Sequence, residues 1–112
     1  MELNQQFIDG LVVNEVRLMQ KIAAELGVNM GQVSSVVGLI AEGSTVPFIA
    51  RYRKEQTGSL DEVQVRDVDH LFKSVTNLET RRIEIIKGIF GQGKLTEALY
   101  ENINKAATLA EL

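Results

Sequence analysis

Apolar residues recur every three to four positions along almost the whole chain, which is the spacing of one face of an amphipathic α-helix. The pattern predicts an all-α fold, a multi-helix domain with a helix-turn-helix-like pair and a long central helix. Capping residues, glycines and the one proline divide it into elements. These are a short lead helix at 3–9 ended by Gly10, a helix from Asn14 to Gly27, a helix from Asn29 to Gly43, a short helix with Pro47 at its first position, a helix over about 61–90, and a helix that starts at Thr96.

The longest predicted helix carries two apolar rows. Ser59 and Glu62 have the spacing of a capping box, in which the serine caps the helix and the glutamate reaches back to it. Two rows predict a helix packed on two sides, with Thr76-Asn77 as its weakest position. The first row contains Val68, Leu71, Val75, Leu78, Ile85 and Ile89 and is interrupted by Arg82, and the second contains Phe72, Ile83, Ile86 and Phe90.

Ala23, Gly27 and Val33 match the spacing of a helix-turn-helix. The small residue lets two helices approach closely, and the glycine permits the turn between them. A helix that reads DNA needs cations nearby for the phosphates, and no basic residue lies between Lys21 and Arg51. We therefore interpret the pair as architectural, with DNA reading as the alternative.

The bulk composition is that of one globular domain. A chain of 112 residues can bury one core, and a net charge of −3 excludes a general basic field for nucleic acid. Cysteine is absent, which excludes disulfides, thiolate metal sites and cysteine nucleophiles. The amino terminus, MELNQQFIDG, lacks the pattern of a signal peptide, and no apolar run approaches the roughly 18 residues of a membrane helix. We expect a cytoplasmic protein.

The stretch GSTVPFIARYRKE places cations on both sides of Tyr52. At about 100° per residue, Phe48, Ile49 and Tyr52 form one apolar stripe, which predicts that all three are buried. The same wheel spreads the cations over the polar half, away from the rings, and sets Arg51 beside Glu55. Two interpretations remain open, a solvated helix end and a local phosphate contact. The cations concerned are Arg51, Arg53 and Lys54.

No arrangement in the chain resembles a catalytic or metal site. The run 88–94 fits the first seven positions of a phosphate-binding loop, but Leu95 stands where a hydroxyl must bind magnesium, so we interpret it as a glycine-rich helix end. His70 has no second ligand and is predicted to lie on the surface. We predict no enzyme activity, no metal and no cofactor. The i,i+4 ion pairs predicted for the carboxylates are Glu62 with Arg66 and Asp69 with Lys73.

The run GSTVPFIARYRKEQTGSLDE resembles the signature of the Tex family of bacterial transcription accessory proteins. Positions 45–55, 57–58 and 60–62 match that signature one by one. Supporting matches are AAELGV at 23–28, the LExRR pattern at 78–82 and GKLT at 93–96. The resemblance covers nearly the whole chain.

The resemblance implies a fold and a place in a larger protein. Tex-like proteins are several-fold longer and place a helical amino-terminal region before a nuclease-like domain, a helix-hairpin-helix module and an OB-fold RNA-binding module. Residues 1–112 are then expected to form one Tex-like amino-terminal helical domain, a fragment of a longer multidomain protein. A capping box from Thr108 to Glu111 is expected to start a further helix.

The resemblance also implies a function. We expect the amino-terminal scaffold of a nucleic-acid-binding transcription accessory protein, with RNA or DNA, the parent's other domains and the transcription machinery as partners, and no membrane. The alternative is a protein-interaction module that docks to the transcription machinery without contacting nucleic acid. The candidate nucleic-acid-binding residues are Arg51, Arg53, Lys54, Arg81 and Arg82.

Overall fold

The chain is helical along most of the residues that the structure describes. The structure is a computed structural model, and it describes residues 3–106 and 112. Within these residues it has seven α-helices and no strand, which confirms the all-α prediction. The helices are α1 Gln5–Asp9, α2 Glu15–Leu26, α3 Met30–Ala41, α4 Val46–Tyr52, α5 Lys54–Thr57, α6 Glu62–Gly91 and α7 Glu97–Lys105. The capping box predicted at 108–111 lies outside the described residues.

Side-chain caps set where several of these helices begin. Asn14 Oδ1 accepts a hydrogen bond from the backbone N–H of Arg17 (3.1 Å), which fixes the start of α2. Asn29 and Gln32 form a complete capping box at the start of α3. The side chain of Thr96 caps α7. All three starts agree with the predicted ones.

The start of α6 differs from the prediction. Ser59 does not cap this helix; instead Asp61 Oδ1 accepts from the N–H of Gln64 (2.8 Å), and Gln64 Oε1 accepts from the N–H of Asp61 (3.0 Å). Ser59 has φ +67°, a left-handed conformation that lies outside the extended region adopted by an N-cap residue. The capping box therefore runs from Asp61 to Gln64, and the predicted box from Ser59 to Glu62 is wrong by two residues.

The described chain divides into two compact units, and α6 contributes to both. Unit A comprises residues 14–75, which contain α2 to α5 and the first part of α6. Unit B comprises residues 3–13, 76–106 and 112, which contain α1, the rest of α6 and α7. The division falls where the sequence predicts the weakest position of the long helix.

Each unit has its own apolar core. In unit A, Val65 and Val68 of α6 are completely buried, and in unit B Ile86 of the same helix is 2% exposed. Each of the two predicted apolar rows of α6 contributes to both cores, so the helix is divided between the cores along its length and not row by row. The other buried apolar residues of the unit A core are Ile22, Ala23, Val33, Val36, Leu39, Ile49 and Leu60, and those of the unit B core are Ile8, Tyr100 and Ile103.

The α2–α3 pair contains the predicted turn. Gly27 has φ +69°, which a residue with a Cβ rarely adopts, and its N–H donates to the carbonyl of Ala23. Ala23 and Val33 both lie in the core of unit A, and α3 carries no cation. This geometry supports the architectural interpretation, and DNA reading by the pair stays a prediction.

Helix α6 carries the two predicted i,i+4 ion pairs, of which the second contains a buried carboxylate, that of Asp69. Glu62 pairs with Arg66 (3.6 Å), and Asp69 pairs with Lys73 (3.1 Å). His70 is exposed on the same helix, as predicted. Although α6 is long, neither it nor any other helix of the described residues combines the length and the apolar composition that a bilayer crossing requires.

Candidate nucleic-acid interface

Helix α4 leads into the most basic stretch of the chain, and one buried side chain anchors it. Thr45 caps the helix, with its Oγ1 accepting from the N–H of Phe48 (3.3 Å), and Val46 is the first helical residue. Pro47 therefore stands at the second helical position and not at the first, as was predicted. The second position also lacks an intrahelical acceptor for its N–H, so proline removes no hydrogen bond there. Ile49 is completely buried in the core of unit A.

The two aromatic rings of α4 are exposed, which contradicts the prediction that they are buried. Phe48 is 38% exposed and Tyr52 is 60% exposed. The α4 residues that pack in the core are Val46, Ile49 and Ala50, and both rings lie more than about 100° around the helix from the centre of that arc. The rings pack against each other instead, with centroids 5.2 Å apart and planes inclined by 49°.

The arginines lie next to these rings, although the wheel predicted that they point away. The guanidinium carbon of Arg53 is 4.8 Å from the Phe48 ring centroid, and that of Arg51 is 6.0 Å from the Tyr52 centroid. Helix α4 ends at Tyr52, and Arg53 has φ −126° and ψ 30°, so the helical wheel no longer applies to Arg53. These four residues, which we call the aromatic–cation cluster, are held together by ring packing and cation–π contacts.

Lys54 adds a third cation beside this cluster. It is exposed at the first position of α5 and lines a shallow depression together with Arg51. The depression has a volume of about 250 Å³, and its other walls are Pro47, Ala50 and Glu62. In the described part of the chain Arg51 and Lys54 form no salt bridge, so the pair predicted between Arg51 and Glu55 is absent.

Arg82 lies inside unit B. Only 8% of the residue is exposed, and its guanidinium donates to the carbonyls of Ile103 and Ala106, the second at 2.6 Å. Its Nε lies 3.3 Å from Glu79 Oε1. The two carbonyls lie at the C-terminal end of α7, where the last carbonyls have no helical N–H four residues further on, so Arg82 caps this helix. The Ile103 carbonyl also accepts from the N–H of Ala106 at 3.2 Å. Its donors are used within the protein, and we leave it out of the proposed interface.

Arg81 is the remaining candidate and also lies in unit B. Its side chain is 58% exposed and pairs with Glu84 at 3.4 Å. A surface pair of this kind contributes roughly 0–1 kcal/mol, so the guanidinium is weakly held. The candidates that the structure brings together are Arg51, Arg53 and Lys54, at the junction of α4 and α5.

The exposure of Phe48 and Tyr52 is the feature of this surface that the sequence prediction missed. The sequence does contain a signal for it, because Val46, Ile49 and Ala50 have the i, i+3, i+4 spacing of the core-facing side of a helix. A wheel that takes this side as its reference leaves both rings outside the core.

The described residues contain no metal site and no phosphate-binding loop. No group of three or more His, Asp or Glu side chains in this part of the chain could hold a metal ion. The glycine-rich run at 88–94 contains the end of α6, at Gly91, and follows a helix and not a strand. The interpretation of this run as a helix end is therefore confirmed.

Comparison with known proteins connects this helical fold to a family. A family model described as the Tex-like protein N-terminal domain matches residues 16–90. Protein tex of Bordetella pertussis is 43% identical over 100 residues, which are 89% of this chain and 13% of that protein. Transcriptional accessory protein Tex of Neisseria gonorrhoeae is 40% identical over 85 residues, which are 76% of this chain and 11% of that protein.

A more distant relative is found in Homo sapiens. S1 RNA-binding domain-containing protein 1 is 25% identical over 95 residues, which are 85% of this chain and 10% of that protein. The chain therefore spans only a small part of the length of the relatives it matches. Because the family model covers more than half of this chain, the protein belongs to the family of Tex-like N-terminal domains, as the resemblance of its GSTVPFIARYRKEQTGSLDE run predicted.

Proposed function

We propose that the chain is the non-enzymatic amino-terminal helical domain of a cytoplasmic, nucleic-acid-binding transcription accessory protein, and that it contacts nucleic-acid phosphates through the α4–α5 junction. The observation that supports this proposal is the grouping of three cations at this junction. Arg51 and Lys54 are exposed and line one depression, and Arg53, which is partly exposed, lies over the Phe48 ring. Among the described residues none of the three is in a salt bridge, so no carboxylate neutralises their charge, although Arg53 Nη1 donates to the carbonyl of Tyr52 at 3.0 Å.

The overall charge sets the expected strength of this contact. With a net charge of −3 the chain has no general attraction for nucleic acid, so binding rests on the local cations. Contacts of this kind give dissociation constants of about 10⁻⁴ to 10⁻⁶ M and weaken steeply as salt rises. The names of two relatives, a transcriptional accessory protein and an RNA-binding domain-containing protein, favour a parent that associates with nucleic acid in transcription.

The second candidate function is docking to a protein of the transcription machinery without nucleic-acid contact. The observation that favours it is the exposure of Phe48 and Tyr52 next to arginines. Tyrosine, phenylalanine and arginine are enriched at protein–protein interfaces. Dependence of binding on salt and on the cations separates this candidate from the first.

The test measures binding of the chain to a labelled single-stranded RNA of about ten nucleotides and to a DNA duplex, from about 50 to 300 mM salt. We expect log K to fall linearly with log salt. Arg51→Ala combined with Arg53→Ala should reduce the salt slope by about 1 to 2 and weaken binding to both nucleic acids.

The matched control is Arg17→Ala combined with Lys21→Ala. Both residues are exposed on α2 of the same unit, and the double substitution changes the net charge by the same amount. We expect it to leave the slope nearly unchanged. Equal losses in the two double variants show a response to net charge and not to a site, and absence of binding at about 50 mM salt contradicts the proposed function.

A further inference from the structure

Tyr52 is the ring of the aromatic–cation cluster that remains open to a ligand. Single exposed aromatic residues are common on protein surfaces, but Tyr52 is 60% exposed and packs against a second exposed ring. The guanidinium of Arg53 lies over Phe48 at 4.8 Å and occupies that ring. The guanidinium of Arg51 is 6.0 Å from the Tyr52 centroid, at the limit of a cation–π contact, and leaves the ring largely uncovered.

Arg51, which lies 6.0 Å from the Tyr52 centroid, also lines a depression that has the features of a phosphate site. Arg51 and Lys54 supply two cations, while Pro47 and Ala50 supply an apolar wall. The depression has a volume of about 250 Å³ and is open to solvent. The one acidic wall residue, Glu62, already pairs with Arg66 at 3.6 Å.

We propose that this surface is a binding site for single-stranded nucleic acid, in which a base stacks on Tyr52 and the adjacent phosphate lies between Arg51 and Lys54. The inference rests on the proposed function, because it uses the same surface. A nucleotide carries a flat ring and an anion a short distance apart, which matches an open ring next to Arg51, an arginine that shares a depression with Lys54. An acidic peptide offers the anion but no ring. In a duplex the bases are stacked on each other, so Tyr52 has no partner there.

The first arm of the test replaces the ring. Tyr52→Ala should weaken binding of a single-stranded RNA by about ten-fold and binding of a duplex of equal length by less than about two-fold. Because the side chain is mostly exposed, the helical content and the thermal midpoint of the variant should match those of the parent chain. Tyr52→Phe, which keeps the ring, should retain the RNA affinity.

The second arm detects stacking directly. The chain contains no tryptophan, so Tyr52→Trp introduces the only indole. Its fluorescence should be quenched as the RNA saturates the site, with an affinity at least equal to that of the parent chain. Val12→Trp, at a residue that is 75% exposed in unit B, provides the control for quenching without a site.

The outcomes separate this inference from the proposed function. Base stacking is wrong if Tyr52→Ala weakens the binding of RNA and of the duplex equally, or if RNA does not quench the indole at position 52. Either result contradicts stacking even when the arginine variants still reduce binding. Quenching by polyglutamate at the same concentration as by RNA also overturns it, because the site then recognises anions without a base. If the arginine variants reduce no binding, the proposed function itself fails.

Discussion

Unit A and unit B hold their buried polar side chains in different ways, although both are small helical units. Among the described residues, unit A has a cluster of nine buried apolar residues, and it also buries Thr57 completely and Asp69 at 9% exposed, whose carboxylate pairs with Lys73 on the same helix. Unit B has a cluster of four buried apolar residues, and it buries Arg82 at 8% exposed, whose guanidinium reaches from α6 to α7. Apolar burial is non-directional, whereas a buried guanidinium must meet acceptors at defined positions. The comparison therefore contrasts a unit whose buried charge pairs within one helix with a unit whose buried guanidinium connects two helices.

The acceptors of Arg82 explain why a cation is tolerated in unit B. Burying a charge is costly unless it is paired and hydrogen-bonded. The carbonyls of Ile103 and Ala106 lie at the C-terminal end of α7, which carries a partial negative charge, and Glu79 supplies a carboxylate. The Arg82 side chain thus donates hydrogen bonds to the C-terminal end of α7, a helix of nine residues, and connects that end to α6.

The comparison is most strongly tested by Arg82→Ala. We expect a loss of about 3 kcal/mol in the free energy of unfolding, because the substitution removes the Arg82 donors from the Ala106 carbonyl and from the Glu79 carboxylate. It also leaves the Ile103 carbonyl with the Ala106 N–H alone. Urea unfolding measures the loss, and amide exchange should show that α7 opens first. The neighbouring Arg81→Ala, at an exposed pair, should cost roughly 0–1 kcal/mol. Equal effects of the two substitutions contradict the idea that unit B depends on Arg82.

Most of the fold could be predicted because helix ends depend on local chemistry. Asn14, Asn29 and Thr96 cap helices through hydrogen bonds to residues three positions away, so each signal lies within a few residues of sequence. The start of α6 was missed because two overlapping segments satisfy the capping pattern. The left-handed conformation of Ser59, which decides between them, is set by the end of α5.

The candidate site was less predictable because it depends on which side of α4 faces the core. A wheel gives the angles between side chains but not the direction of the core, and the burial of Ile49 together with Val46 and Ala50 fixes that direction. The role of Arg82 was hidden for a similar reason. Its acceptors lie 21 and 24 residues further along the chain, beyond the range of local patterns.

A second test asks whether unit A also contains an oriented polar contact. Gly58 has φ +64°, and a Cβ there would lie 2.8 Å from Gln32 Nε2, which donates to Thr57 O at 3.0 Å. Gly58→Ala should therefore cost about 2 kcal/mol, half from the left-handed backbone and half from the displaced hydrogen bond.

The matched control for this substitution is Gly27→Ala. Gly27 has nearly the same φ, +69°, but a Cβ added there would meet no atom within 4 Å, so only the backbone cost of about 1 kcal/mol is expected. Chemical denaturation of the two variants gives the difference. A difference near zero shows that Gln32 adjusts freely and that its hydrogen bond to Thr57 contributes little to the stability of unit A.

The smallest expected effects come from the caps, which both units use in the same way. Asp61→Ala at the start of α6 and Thr96→Ala at the start of α7 each remove one side-chain acceptor from a helix N-terminus and should cost about 1 kcal/mol in thermal or urea unfolding. Ser59→Ala should change stability by less than about 0.5 kcal/mol, because Ser59 does not cap α6. A large loss of stability for Ser59→Ala, with no loss for Asp61→Ala, supports the capping box predicted from Ser59 to Glu62 and contradicts the one from Asp61 to Gln64. Equal costs at Asp61 and Thr96 show that helix starts do not distinguish the units, and the difference between them then lies in how each unit holds its buried charge, within one helix in unit A and between two helices in unit B.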